Sequence, residues 1–397
     1  MAVKYIDEVE LTGKRVFIRA DLNVPLDDDR NITDDTRIRE VLPTVRYALR
    51  NGGRVILASH LGRPKGTGKE EKYSLAPVGD HLAGLLDREV IMAPDVMSDG
   101  VKQCAHQLKD GEVLLLDNLR FAAGETKNDP DFADDLASLT EVYVNDAFGA
   151  SHRAHASIDA LPRRVAVKCA GFLMRKELQY FQMALDDPAR PVVAILGGAK
   201  VSDKIPVIEN LLDRVNAIVI GGAMAYTFLA QAGENVGKSL VEAGKKDTCA
   251  RVVKLAREKG VDIHLPVDHV AATEIAEGAA HRVVGAGAFQ PDEMGLDIGP
   301  ETREKYAEVI GKAKTIIWNG PMGVFEIDEF AQGTFAVAKA VAAADALSVV
   351  GGGDSVSAVH KAGVADKISH ISTGGGASLE LLEGKVLPGI AALETSE

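Results

Sequence analysis

Short apolar runs alternate with helix-length amphipathic stretches along the whole chain, and that alternation leaves few folds open. A strand that is apolar throughout must be covered on both faces, and the stretches between runs supply the cover as crossover helices, the βαβ signature of parallel sheets. In the first half the runs fall near residues 15–19, 54–58, 89–92, 112–117 and 141–145, with helical stretches such as Thr36–Asn51 and Leu75–Leu86 between them. In the second half they fall near 192–196, 217–221, 262–266, 315–318, 347–350 and 368–372. A chain of 397 residues exceeds one ordinary core, so the expectation is two lobes. Between them Arg175–Asp187 (RKELQYFQMALDD) reads as a helix stopped by Pro188 and Pro191, the natural connector. The fold class is therefore α/β: two Rossmann-like lobes, each a parallel β-sheet flanked by helices, joined by an interdomain helix and hinge. The expected bounds are an N-terminal domain over 1–174, the helix and linker over 175–190, a C-terminal domain over 191–380, and a tail over 381–397. The tail is too short to be a domain and must dock on something already folded, by expectation the N-terminal domain.

The two halves end their strands in opposite chemistries. In the first, RVFIRADLN delivers Arg19, RVILASHLGRP delivers His60 and Arg63, EVLLLDNLRF delivers Arg120, and VYVNDAFGASHR delivers His152 and Arg153. Strand ends are where open α/β sheets build their sites, and planar guanidinium groups recognise carboxylate and phosphate with paired hydrogen bonds. The net charge of −13 disfavours nucleic acid and anionic membranes as partners. It also makes a local gathering of arginines conspicuous. Arg37 opens the following helix, and Asp21 and Asn23 stand beside Arg19 as partners for the hydroxyl and carboxylate of a small polar substrate. No apolar run approaches the ~18 residues a bilayer span needs. The charged N-terminus lacks a signal-peptide core, and Cys104, Cys169 and Cys249 are odd in number and widely spaced. A cytoplasmic protein without a disulfide framework is expected.

In the second half the strands run into glycine: PVVAILGGAK, AIVIGGAM, TIIWNGPMG, LSVVGGGDS and HISTGGG. Bare backbone at a strand end, followed by a helix N-terminus, is suited to an anion. In ILGGAKVSDKIPVIENLL, Lys200 and Lys204 lie four apart, so on a helix they would face the same way. In GGGDSVSAVHKAG, Asp354 and Ser355 begin a helix, either as N-cap residues or, for the carboxylate, as a holder of Mg²⁺ beside bound phosphates. Glu326 of NGPMGVFE could accept hydrogen bonds from ribose hydroxyls. Gly233–Ser239 (GENVGKS) has three residues between its glycines where the P-loop needs four, and it follows a helical stretch rather than a strand. A dinucleotide fingerprint and a His-Glu-x-x-His site are likewise lacking.

Taken together, RxDxNVP (Arg19–Pro25), SHLGRP (Ser59–Pro64), NLRF (Asn118–Phe121), NDAFGxxHRAHAS (Asn145–Ser157), LGGAKVSDK (Leu196–Lys204), WNGPMGVFE (Trp318–Glu326) and GGGDS (Gly351–Ser355) resemble the phosphoglycerate kinase family, in that family's order and over nearly the whole chain. Asp117, Ser151, Ile158 and Ser355 are small departures from its pattern. The resemblance implies reversible, Mg²⁺-dependent phosphoryl transfer from 1,3-bisphosphoglycerate to ADP, giving 3-phosphoglycerate and ATP, in line and after hinge closure. It implies a substrate site of Asp21, Asn23, Arg37, His60, Arg63, Arg120 and Arg153, supported by Arg19 and His152 and including Leu22, Leu61 and Gly62 of the same motifs. It implies a nucleotide site of Gly198, Lys204, Gly221, Gly222, Asn319, Pro321, Glu326, Gly352, Gly353, Asp354, Ser355, Gly374 and Gly375, with Asp354 serving the metal. Arg37 and Lys200 would stabilise the phosphoryl group in flight, and the enzyme is expected to be a monomer. A non-catalytic nucleotide-binding protein, the alternative, would leave the arginine cluster without a purpose.

Overall fold

The computed structural model describes residues 3–394. Its chain forms two compact units, one of residues up to Leu178 joined by those from Val386 onward, the other of Gln179–Lys385.

The first unit is built on a six-stranded parallel sheet: β1 (Arg15–Ala20), β2 (Arg54–Ala58), β3 (Val90–Met92), β4 (Val113–Leu115), β5 (Val142–Asp146) and β6 (Val167–Ala170), in the spatial order β3-β4-β2-β1-β5-β6. Val16 and Ile18 pack with Val55, Leu57, Val113, Leu115, Val142 and Val144 on one face. The helix Thr36–Arg50 covers that face with Ile38, Val41, Leu42, Val45, Ala48 and Leu49, the spacing of a 3.6-residue period. β6 was not expected. Its run, VKCA, begins with exposed Val167 and is too short to stand out by hydropathy; pairing with β5 makes it a strand.

The second unit repeats the plan with β7 (Val192–Leu196), β8 (Ala217–Ile220), β9 (Asp262–His264), β13 (Thr315–Asn319), β14 (Leu347–Gly351) and β15 (His370–Ile371), ordered β15-β14-β13-β7-β8-β9 and parallel throughout. It also carries a three-stranded antiparallel sheet that the sequence reading lacked: β10 (Asp268–Ala272), β11 (His281–Gly285) and β12 (Met294–Ile298), ordered β11-β10-β12. Asp268 and His269 open β10, and β11 has only Val284 buried, so neither segment shows a clean apolar run. The register of the pairing defines them instead.

The connector helix spans Phe172–Leu185, starting three residues earlier and ending two earlier than the sequence suggested. At its start the Phe172 N–H donates to Thr44 Oγ1 at 2.9 Å and the Met174 N–H to Asp146 Oδ1 at 3.0 Å. The division between units falls inside this helix. The C-terminal segment packs on the first unit, where Gly389 donates to the Ser151 carbonyl at 2.9 Å and accepts from Asn145 Nδ2 at 3.1 Å. Leu387, Ala392 and Leu393 are buried there.

Candidate functional site

In the first unit the strands that carry the basic residues, β4, β2, β1 and β5, are immediate neighbours, so their carboxyl ends gather Arg120, His60, Arg19 and the His152–Arg153 pair along one sheet edge. Arg37 NH1 donates to Asp21 Oδ2 at 2.7 Å, fixing the one long side chain that arrives from the helix Thr36–Arg50. The Asn23 side-chain oxygen accepts from the Gly62 N–H at 2.8 Å, and the Gly62 carbonyl accepts from Arg120 NH1 at 2.7 Å. Arg153 Nε donates to His152 Nε2 at 3.1 Å. Arg63 is exposed and takes part in no ion pair of the described residues. Leu22 and Leu61 belong to the hydrophobic core, so only their backbone is available to a ligand. Arg19 is wholly buried, its guanidinium directed to Ser157, the Ala20 carbonyl and His60.

The electrostatics of this edge are those of crowded positive charge. Burial, then Arg153 and Arg19, push Arg120 down to about 10. Burial, then Arg120, Arg19 and Arg153, push His155 down to about 4. His60 lies well below the ordinary imidazole value because burial and three arginines outweigh the attraction of Asp21. Asp21 stays a carboxylate, its own burial overcome by His60, Arg37 and Arg19. A set of cations that depress one another has an unmet demand for anion. Sequence reasoning missed Glu125, Ser157 and His155 beneath this edge. The last two lie inside the motif Asn145–Ser157, which was the available signal; Glu125 has none of its own.

In the second unit the glycine-ended strands β15, β14, β13, β7 and β8 are also neighbours. Their ends enclose a cavity of about 540 Å³ lined by Gly197, Gly198, Lys200, Asp203, Lys204, Asn319, Gly320, Pro321, Gly352–Ser355, Gly375 and Gly376. A second cavity of about 300 Å³ shares Gly198, Ala199, Pro321 and Asp354 with it and continues past Gly222, Tyr226, Leu240, Ile275, Met294–Asp297, Val324 and Glu326. The first is therefore backbone and charge, the second a largely apolar slot with the exposed acids Glu326 and Asp354 and the buried Asp297 in its lining. Met294–Asp297 come from β12, so the unforeseen antiparallel sheet walls this slot. Gly221 and Gly374 are buried behind the cavity walls and line neither space.

A side chain at Gly198, Gly353 or Gly375 would project into open space, whereas one at Gly222 would meet Gly198 N at 2.6 Å and the Pro321 carbonyl at 2.9 Å. The bare cradle is thus bounded by tightly interlocked loops. Gly352, with φ +93°, is the N-cap of the helix Gly353–Lys361, a conformation open to glycine and strained for other residues. Asp354 and Ser355 therefore do not cap it: the Asp354 carboxylate is exposed in both cavities, and Ser355 Oγ accepts from the Gly320 N–H at 2.6 Å. Lys200 and Lys204 do not share a helix face either. Lys200 caps the 3₁₀ turn Val201–Asp203 and Lys204 precedes the helix Ile205–Leu211, so a turn separates them. Lys204 is held by Asn319 Oδ1, with Asn319 Nδ2 donating to the Gly351 carbonyl at 2.9 Å, and its pKa is lowered by burial against the pull of Asp203, Asp354 and Glu383. The Gly233–Ser239 segment is a turn after the helix Met224–Gln231, its Ser239 Oγ accepting from the Gly295 N–H at 2.9 Å.

The family model for phosphoglycerate kinase matches residues 6–385. The chain belongs to the phosphoglycerate kinase family. It is 57% identical over 395 residues to the phosphoglycerate kinase of Geobacter metallireducens, covering 99% of both chains, and 58% identical over 397 residues to that of Acidobacterium capsulatum, covering 98% of both. Among solved structures it is similar to the phosphoglycerate kinase of Coxiella burnetii, with a TM-score of 0.91 at 41% identity over 99% of each chain. The phosphoglycerate kinase of Pyrococcus horikoshii matches with a TM-score of 0.82 at 35% identity over 98% of each. For the family's fold, two six-stranded parallel sheets flanked by helices, the two strand-end sites are the natural places for ligands. No helix of the described residues is long and apolar enough to cross a membrane.

Proposed function

We propose that this chain is a phosphoglycerate kinase, transferring a phosphoryl group reversibly from 1,3-bisphosphoglycerate to MgADP to give 3-phosphoglycerate and MgATP. The observation that carries the reading is the division of labour between two strand-end sites, one of guanidinium groups and one of bare backbone with two lysines. Asp21, Asn23, Arg37, His60, Arg63, Arg120 and Arg153 would bind the phosphoglycerate, with Arg19 and His152 supporting. Lys204 and Gly352–Ser355 would take the nucleotide phosphates, Glu326 the ribose, and the slot lined by Leu240, Ile275 and Met294 the base. The glycines Gly198, Gly353 and Gly375, with open space where a side chain would stand, suit phosphates that approach the backbone. Asp354 is exposed in both cavities, a single carboxylate at the cradle. That donor set fits an Mg²⁺ ion arriving on the phosphates, with water completing its shell. Its charge would offset that of the phosphate oxygens.

Phosphoryl transfer of this kind passes through a loose, metaphosphate-like transition state, so the protein's contribution is positioning and charge stabilisation. Arg37 and Lys200, one cation from each site, are assigned to that state, and hinge closure is assigned the exclusion of water. The enzyme is read as a cytoplasmic monomer. The acidic sequence and its three scattered cysteines support the compartment, and light scattering at the mass of a single chain would support the oligomeric state. The deciding experiment mixes the purified protein with ATP, Mg²⁺ and 3-phosphoglycerate. ADP formation that requires all three is expected; binding of nucleotide without turnover would leave the non-catalytic alternative standing.

A further inference from the structure

Below the basic edge lies a chain of fully buried polar groups that the substrate roles do not use. Glu125, Ser157 and Arg19 are each 0% exposed. The Ser157 hydroxyl donates to Glu125 Oε1 at 2.6 Å, and the Ser157 N–H donates to Glu125 Oε2 at 2.9 Å, so both carboxylate oxygens are engaged. The Ser157 hydroxyl oxygen accepts from Arg19 Nε at 2.8 Å. Tyr143 OH donates to the Ser157 carbonyl at 2.7 Å, which holds the serine from the other side. At the far end Arg19 NH2 lies 3.3 Å from His60 Nδ1. Arg19 enters no ion pair of the described residues, so its charge is met by a carboxylate one hydroxyl away.

We propose that Glu125 and Ser157 are positioning residues of the phosphoglycerate site, acting through Arg19 to hold His60 as the neutral tautomer with its proton on Nε2. The inference rests on the reading of this edge as the phosphoglycerate site. A guanidinium has donors only, so the ring nitrogen facing it must offer a lone pair. Asp21 Oδ1, 4.0 Å from the same Nδ1, is too far to hold a proton there; it accepts from the Asn23 N–H at 3.2 Å, while Asp21 Oδ2 accepts from Arg37 at 2.7 Å. Among the charged groups around the ring, Asp21 favours a second proton while Arg19, Arg120 and Arg37 oppose it, and burial adds to the arginines' effect. With Nδ1 occupied, Nε2–H bonds to no other group of the described residues and is left as a directed donor for an anionic ligand. The relay gives a wholly buried arginine a part in the site: it fixes which way a histidine donates.

The test is nitrogen NMR of the intact protein labelled in its imidazole rings, with His60→Gln supplying the assignment. A lone-pair signal at Nδ1 and an N–H signal at Nε2, unchanged over roughly pH 6 to 8, where an ordinary histidine titrates, is expected. Ser157→Ala should mix the tautomers, move the His60 titration upward toward the usual value, and raise the 3-phosphoglycerate KM about 10-fold with the ADP KM unchanged. Ser157→Thr, which restores the hydroxyl, should rescue both. Glu125→Gln, which removes one of the two oxygens, should act in the same direction with a smaller change. A proton on Nδ1 in the unaltered protein, or a Ser157→Ala protein whose His60 keeps its tautomer, overturns the relay. So does a Glu125→Gln protein with unaltered His60 signals and KM. The tautomer is read without turnover, so an active enzyme with the wrong tautomer defeats only the relay. An inactive protein with the expected tautomer upholds the relay's geometry and defeats the phosphoryl-transfer reading.

Discussion

The two six-stranded sheets are built from the same kind of βαβ unit, yet their carboxyl ends differ in what they present. The first presents charged side chains fixed by their neighbours: Arg37 by the Asp21 side chain, Arg120 by the Gly62 carbonyl, Arg19 by the Ser157 side chain. The second presents backbone: side chains at Gly198, Gly353 and Gly375 would stand in open space, whereas Gly197 is packed against Gly320 and Pro321, and Gly222 against Gly198 and Pro321. Side chains can reach around a small anion and distinguish carboxylate from phosphate by the direction of their paired donors. Backbone N–H groups cannot vary with sequence and suit a group common to many ligands, such as a phosphate chain. On the proposed reading, selective recognition lies in the first unit, and the second supplies a general phosphate cradle extended by an apolar slot.

The comparison can be broken most severely at its two cations. Replacing Arg37 or Lys200 with Ala should lower kcat by about two orders of magnitude or more, because such donors act mainly on the transition state. Steady-state kinetics of either variant showing near-normal kcat would remove that residue from the transfer step. A second experiment exploits a feature the units share. Each buries a strand-borne acid that accepts from a helix N–H, Asp146 from Met174 and Asp297 from Gly333, and burial pushes both up to about 7. A carboxyl raised above its unfolded value keeps a proton that the unfolded chain releases, so its contribution to stability falls as pH rises from about 4 to 7. Asp297→Asn should lose that fall, changing the pH slope of stability by up to a few kcal/mol across this window, since each pKa unit is worth ~1.4 kcal/mol. Denaturant unfolding at the two ends of the window, variant against parent, checks it; parallel slopes would place the Asp297 titration elsewhere.

The backbone character of the second site is sharpened by Gly197→Ala, whose Cβ would stand 2.0 Å from the Pro321 carbonyl oxygen. Overpacking of that kind costs about 1–3 kcal/mol, and thermal unfolding with and without ADP should show both a lower midpoint and a smaller shift by nucleotide. The smallest effect is expected at the rim. Glu326→Gln should raise the ADP KM several-fold, about 1 kcal/mol of binding, with kcat little changed. A large kcat loss at constant KM would contradict its assignment to the ribose.

Much of this was legible in the sequence where one residue type has one use. Apolar runs such as VVAIL and TIIWN are buried end to end, and the sequence bounds of β2 and β7 coincide with those observed. The arginines at the ends of β1, β2, β4 and β5 were found because strand ends are recognisable by the loss of hydropathy. The Lys200–Lys204 spacing misled because a four-residue step means one face only inside a continuous helix, and a 3₁₀ turn intervenes. Asp354 and Ser355 looked like capping residues because their types suit that position, but Gly352 with its positive φ takes it. Glu125 was invisible: an acid in a polar segment has no pattern that announces burial, and its partners Ser157 and His155 are about thirty residues away.

The sequence by itself determined the α/β class, the strand positions and the contrast between a basic and a glycine-rich set of strand ends, because those depend on local composition and period. Tertiary structure alone decided which strand ends are neighbours, since order within a sheet follows from crossovers and not from hydropathy. It also decided that β12 walls the apolar slot and that Arg19 points inward to a serine that in turn binds a glutamate. Those arrangements arise from long-range packing and from the need of buried charge for a partner, neither of which leaves a mark on neighbouring residues.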